Sequence, residues 1–159
     1  MIRLVVVDDQ SVVREALAIM LDLDPGLDVV ATATNGAQAL AVAAAVRPDV
    51  ILIDLTMPVL DGLDAVRRIH RDHPDIKILV LTTFAEDHAI LAAAEAGASG
   101  YLTKDANRAT ILRAIRAAAQ GLIGRTVSSA VDSRTLSTTE IPALPPASNV
   151  PRTPSPGRA

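Results

Sequence analysis

The chain has 159 residues, half of them hydrophobic, a formal net charge of −3, no cysteine, and Phe84 and Tyr101 as its only aromatic side chains. That suffices for one ordinary domain with a tail and a core independent of disulfides, and it excludes thiolate metal sites and base stacking on an aromatic platform. Residues 1–121 carry 11 basic and 16 acidic side chains and residues 122–159 carry 4 and 2, so the main segment is acidic and poorly suited to nucleic acid by itself.

The first apolar run, "LVVV" at Leu4–Val7, is short and β-branched and reads as a strand buried on both faces. It ends at once in Asp8 and Asp9, which is unlike a signal peptide. Val13, Ala16, Leu17, Met20 and Leu21 follow the spacing of a helix face, broken by Asp24-Pro25-Gly26. "LDVVATA" (27–33) predicts a second strand, Asn35-Gly36 a turn, and "GAQALAVAAAVR" (36–47) an Ala-rich helix ended by Pro48. "VILIDL" (50–55) predicts a third strand, and Leu63, Val66, Ile69 and His70 a helical stripe stopped by Pro74. "KILVLTT" (77–83), a helix over 86–97, the strand "GYLT" (100–103) and a helix over 106–121 complete the series.

Five successive βα units predict an α/β domain whose parallel sheet is covered by helices on both faces. No apolar stretch approaches the ~18–20 residues of a membrane span, so the expectation is a soluble, cytoplasmic protein. In open parallel sheets the ligand site lies beyond the carboxyl ends of the strands. The residues at those ends are Asp8, Asp9, Asp54, Thr82, Thr83 and Lys104.

Adjacent carboxylates repel unless a cation is shared between them. Mg²⁺ takes oxygen ligands and keeps several waters, so the carboxylates of Asp8, Asp9 and Asp54 with the backbone carbonyl of Thr56 suit it; Mn²⁺ is the alternative ion. Zn²⁺ fits poorly, because no His or Cys falls at a strand end. Lys104 adds a fixed cation that helps keep a carboxylate ionised. An ionised Asp so placed is poised to attack phosphorus and form an aspartyl phosphate. The Thr82 hydroxyl and the Thr83 N–H are then the donors to the phosphoryl oxygens.

Together "VVVDDQ", "ILIDLTMPVLDGL", "ILVLTT" and "GASGYLTKDA" resemble the receiver domain of two-component response regulators, most closely the NarL/LuxR type, over about residues 1–121. The resemblance implies a flavodoxin-like fold with strand order 2-1-3-4-5. It implies Asp54 as phosphoacceptor, Asp8 and Asp9 as the acidic metal pair, Thr82 as switch hydroxyl, Lys104 as the phosphoryl-contacting lysine and Tyr101 as switch aromatic. Pro58 and Gly62 match the family's turn after the acceptor strand, and Thr56 occupies the position that tunes phosphoryl lifetime. The expected partners are a sensor histidine kinase and a second receiver, in a homodimer or heterodimer. On phosphorylation Tyr101 is expected to turn from solvent toward the interior, altering the surface of the fourth helix, fifth strand and fifth helix.

Each residue also has a plainer reading. Tyr101 alone is a strand-end aromatic with its hydroxyl in water, and Thr82 is a β-favourable strand residue. Asp61, Asp64, Arg67, Arg68 and Arg71 are most simply a solvated helix face, with kinase docking as the alternative, and His70, His73 and His88 lie away from the strand ends with no assigned role. Residues 122–159 gain Ser, Thr and Pro and lose apolar periodicity, so they read as a disordered tail or linker remnant in place of a helix-turn-helix domain. The expected function is a phosphorylation-dependent switch rather than a turnover enzyme. The alternatives are the receiver part of a DNA-binding regulator and an aspartyl-phosphate phosphohydrolase, the latter disfavoured because Thr56 stands where a second acid/base carboxylate is needed. Specific DNA binding by this chain is not expected.

Overall fold

The computed structural model describes residues 1–55, 62–82, 87–121 and 125–127. Strands β1 (Ile2–Val7), β2 (Leu27–Ala33), β3 (Val50–Asp54), β4 (Lys77–Thr82), β5 (Gly100–Thr103) and β6 (Arg125–Val127) alternate with α1 (Ser11–Asp22), α2 (Gly36–Val46), α3 (Gly62–Asp72), α4 (Asp87–Ala96) and α5 (Arg108–Ala119). All pairings are parallel, in the order β2-β1-β3-β4-β5-β6. The first five strands have the flavodoxin-like order expected from the sequence.

The central strands β1, β3 and β4 carry uninterrupted buried runs because both sheet faces are covered. On one face Val5, Val7, Ile51, Ile53, Ile78 and Val80 pack against small residues of α2 and α4 and against Val66 and Ile69 of α3. On the other, Leu4, Val6, Leu52, Leu79 and Leu102 meet Leu21 of α1 and Ile111, Leu112 and Ile115 of α5. Asn35 and Asn107 cap α2 and α5 by accepting the N–H of Gln38 and Thr110, each at 2.8 Å. Gly97 ends α4 at φ +110°, where a Cβ would also collide with the His70 ring. No described helix is long and apolar enough to cross a membrane.

Two expectations need correction. Ala16 and His70, placed by periodicity on core-facing stripes, are exposed; the true stripes are narrower, because α1 and α3 each lie against a single sheet face. Beyond the five strands expected, the sheet has a short sixth strand within residues 122–159. Arg125–Val127 pairs with Gly100–Leu102 and covers the edge that β5 would otherwise leave open. Since α5 packs on the α1 face while β6 lies beyond β5, this connection has the opposite hand to the others, consistent with a strand of only three residues. The rest of the tail lies outside the described residues.

Candidate functional site

The carboxyl ends of β1, β3, β4 and β5 converge on one edge of the sheet. Asp8 follows β1, Asp54 ends β3, Thr82 ends β4, and Lys104 follows β5. The sheet ladder carries these ends into register. The Leu55 N–H donates to the Leu81 carbonyl at 3.2 Å, and the Lys104 N–H to the Thr82 carbonyl at 2.9 Å. Carboxylate oxygens of Asp8, Asp9 and Asp54 lie within 4.8 Å of one another. Asp8 and Asp54 are buried, and Asp9 is exposed.

Lys104 ties the cluster together. Its Nζ donates to Asp54 Oδ2 at 2.9 Å and stands 3.6 Å from Asp8 Oδ2. Burial pulls the Lys104 ammonium down, but the hydrogen bond to Asp54 and the charges of Asp54 and Asp8 outweigh it and hold its pKa above the ordinary value. Burial also pushes the Asp8 carboxyl up, against the opposing effects of the Gln10 N–H and Lys104, and the charges of Asp54 and Asp9 add to the rise.

Asp8 is held at every polar group except one. Its N–H donates to the Ala33 carbonyl at 3.1 Å, its Oδ1 accepts the Gln10 N–H at 2.9 Å, and its carbonyl accepts from Arg14 Nη1 at 3.0 Å. Oδ2 is buried without a hydrogen-bond donor among the described residues; the approach of Lys104 at 3.6 Å is too long for a hydrogen bond. Such an atom is costly unless something satisfies it. A hard cation at this edge would do so, and an all-oxygen donor set of three carboxylates is of the kind Mg²⁺ or Mn²⁺ takes.

Thr82 is half-buried, and Tyr101 is only 8% exposed. Both line a small apolar pocket with Leu55, Val80, Ala89, Ile90 and Ala93. Tyr101 is therefore already interior, which corrects the expectation that it starts in solvent: the alanines of α4 leave room for the ring over β4. Gly62 meets the end of β3 directly. Its N–H donates to the Leu55 carbonyl at 3.0 Å, and a Cβ there would collide with the Asp54 carbonyl oxygen and with Leu55. Thr56, Pro58 and Thr83 lie outside the described residues. Sequence reading missed Arg14, whose contact is to a backbone carbonyl and leaves no motif.

The pattern of the response regulator receiver domain matches residues 4–116. The chain is 45% identical over 115 residues to the transcriptional regulatory protein LnrK of Bacillus subtilis (strain 168), covering 72% of this chain and 52% of that protein. It is 42% identical over 121 residues to the transcriptional regulatory protein LiaR of the same organism, covering 76% and 57%. The chain thus spans about half the length of these curated relatives. A two-component response regulator of the LuxR family from Aurantimonas sp. SI85-9A1 superposes with a TM-score of 0.76 at 32% identity, over 87% of this chain and 98% of that one. The chain belongs to the receiver domain family of two-component response regulators, with relatives of the NarL/LuxR type.

Proposed function

We propose that the chain accepts a phosphoryl group on Asp54 from a sensor histidine kinase and thereby switches a protein-interaction surface. The observation that carries this reading is the buried Asp54 carboxylate at the end of β3, bonded to Lys104 at 2.9 Å beside Asp8 and Asp9. Asp8, Asp9 and Asp54, with the Thr56 carbonyl, would hold Mg²⁺ or Mn²⁺. When bound, the ion supplies charge neutralisation for the carboxylates and the incoming phosphoryl oxygens.

The Asp54 carboxylate attacks phosphorus. The P–N bond of the donor phosphohistidine breaks, and the imidazole nitrogen leaves with the electron pair and takes up a proton. Lys104, already at Asp54, shifts to a phosphoryl oxygen, and the Thr82 hydroxyl and Thr83 N–H donate to the others. Thr82 moves inward to make that bond, and through the pocket it shares with Tyr101 it biases the α4–β5 surface. Water later hydrolyses the acyl phosphate and resets the chain, so the reaction is one switching event per phosphoryl group and not turnover of a substrate.

The kinase has a surface to dock on. Val12, Ile19 and Leu23 of α1 and its C-cap are 78%, 66% and 73% exposed, and with Ala16 they recur at the spacing of one helix face. The stripe begins at Val12, one turn from Asp8 and Asp9, so a helical partner that brings a histidine to Asp54 also covers it. The phosphorylated form then pairs with another receiver, in a homodimer or a heterodimer. The described helices all pack on the sheet, and none is left to enter a DNA groove. The setting is the cytoplasm, where such regulators generally act. The test is labelling by acetyl phosphate with Mg²⁺: stoichiometric incorporation that maps to Asp54 supports the reading, and incorporation elsewhere or none at all refutes it.

A further inference from the structure

The turn between β1 and α1 is fixed by four hydrogen bonds. Asp8 N–H donates to Ala33 O at 3.1 Å, Gln10 N–H to Asp8 Oδ1 at 2.9 Å, Arg14 N–H to Gln10 O at 2.9 Å, and Arg14 Nη1 to Asp8 O at 3.0 Å. The first three are made by backbone N–H groups and need nothing of the side chain at position 14. The fourth needs a long side chain that carries a donor there, reaching back toward the helix N-terminus as helical side chains do. Arg14 is half-buried, and α1 otherwise starts without a side-chain cap at Gln10 or an acid in its first turn.

The carbonyl of Asp8 and the N–H of Asp9 belong to one planar peptide unit. Holding that carbonyl sets the direction in which the Asp9 residue leaves the turn. Asp9 needs this, because its exposed carboxylate has no hydrogen bond or ion pair of its own among the described residues. Asp8 Oδ1 accepts the Gln10 N–H of the next peptide unit, whose position follows from the Asp8–Asp9 peptide, so holding the Asp8 carbonyl also bears on where Oδ2 points.

We propose that Arg14 is a positioning residue of the phosphoacceptor site: by gripping the Asp8 carbonyl, its guanidinium fixes the peptide that aims the Asp8 and Asp9 carboxylates at the cation. The inference rests on the reading of the cluster as a divalent-cation site beside Asp54. It differs from a role in stability alone, in which Arg14 would merely fasten the start of α1.

The test uses the full chain with R14M, which keeps an apolar stem of similar length but removes the donor, and with R14K, which returns a cationic donor. Mn²⁺ binding is titrated by electron paramagnetic resonance at a temperature where all forms are folded, and the Mg²⁺ dependence of acetyl phosphate labelling is measured in parallel. Loss of a group that orients metal ligands typically weakens affinity about 10–100-fold. R14M is expected to weaken Mn²⁺ binding by about tenfold and to raise the half-saturating Mg²⁺ by a similar factor, with the labelling rate recovering at saturating Mg²⁺ and R14K restoring most of the affinity. Unchanged Mn²⁺ affinity in R14M overturns the proposal, whatever happens to its melting temperature, and so does an R14K affinity equal to that of R14M. Wild-type protein that binds Mn²⁺ but takes no label at Asp54 refutes the phosphoacceptor reading and leaves the Arg14 comparison intact. Wild-type protein that binds no Mn²⁺ removes both.

Discussion

Lys104 Nζ lies 2.9 Å from Asp54 Oδ2 across 50 residues of sequence. The pair is assembled by the sheet ladder, since the Lys104 N–H is itself bonded to the Thr82 carbonyl next to β3's neighbour strand end. The contact fixes one carboxylate oxygen of Asp54 against a cation at the carboxyl edge of the sheet.

Asp54→Asn keeps the shape of this side chain and removes the nucleophile. Labelling by acetyl phosphate should fall to background while circular dichroism stays that of the wild type. Full stoichiometric labelling of the variant would show that another group is the acceptor.

Asp8 is buried with its pKa raised by that burial and by neighbouring carboxylates, so its charged form opposes folding when no cation is bound. Asp8→Asn should raise the melting temperature measured in chelator, with about 4 °C for each 1 kcal/mol relieved in a domain of this size, and should weaken Mn²⁺ binding. A melting temperature that falls by several degrees in chelator would contradict the account of repulsion.

Arg116 Nη2 donates to Asp24 Oδ2 at 2.6 Å, joining the α1–β2 turn to α5 across 92 residues. The Gly26 N–H and then Arg116 hold the Asp24 carboxyl below its ordinary value. A lowered folded-state pKa means that the unfolded chain binds the proton first as pH falls. The stabilisation is therefore complete above the ordinary carboxylate range and is lost as pH drops through the depressed value. Asp24→Asn should be less stable than wild type near pH 7, and the gap should close below about pH 4. Urea unfolding at both pH values checks this, and a gap that stays constant rejects it.

The docking surface proposed on α1 allows docking to be tested apart from chemistry. Ile19→Lys should lower phosphoryl transfer from a histidine kinase active on the wild-type chain by about tenfold or more, as charge insertion at an interface anchor does. Labelling by acetyl phosphate should be unchanged. Equal kinase transfer in the two proteins would move the docking surface elsewhere.

Gly62→Ala places a methyl group against the Asp54 carbonyl and the Leu55 backbone, which cannot swing aside as a side chain would. A cost of about 1–3 kcal/mol is expected, together with slower labelling, because the backbone of Asp54 must give way. Denaturant unfolding and labelling rates measure the two effects, and wild-type values for both would show that α3 simply tilts to make room.

Most of the site was legible because each chemical residue interrupts an apolar run: Asp8 after Val7, Asp54 after Ile53, Thr82 after Leu81. The alternation of strand and helix did the same for the first five strands, with helix ends displaced by one or two residues where caps such as Asn107 lie inside the expected span. What stayed hidden depended on contacts between distant segments. β6 has no periodicity of its own and exists by pairing with Gly100–Leu102. The inward place of Tyr101 depends on small residues of α4, Ala89 and Ala93, while its own neighbours in sequence suit either orientation. Arg14 acts on a main-chain oxygen, which every residue possesses.

The chain has no tryptophan and one tyrosine, and that tyrosine stands against Thr82 in the pocket under α4. Its ultraviolet emission is thus a single-position optical probe, native to the chain and located on the path of the rearrangement proposed above. Quenching by acrylamide, lifetime or anisotropy of unlabelled protein would report that rearrangement as it occurs, without a dye and without averaging over other fluorophores.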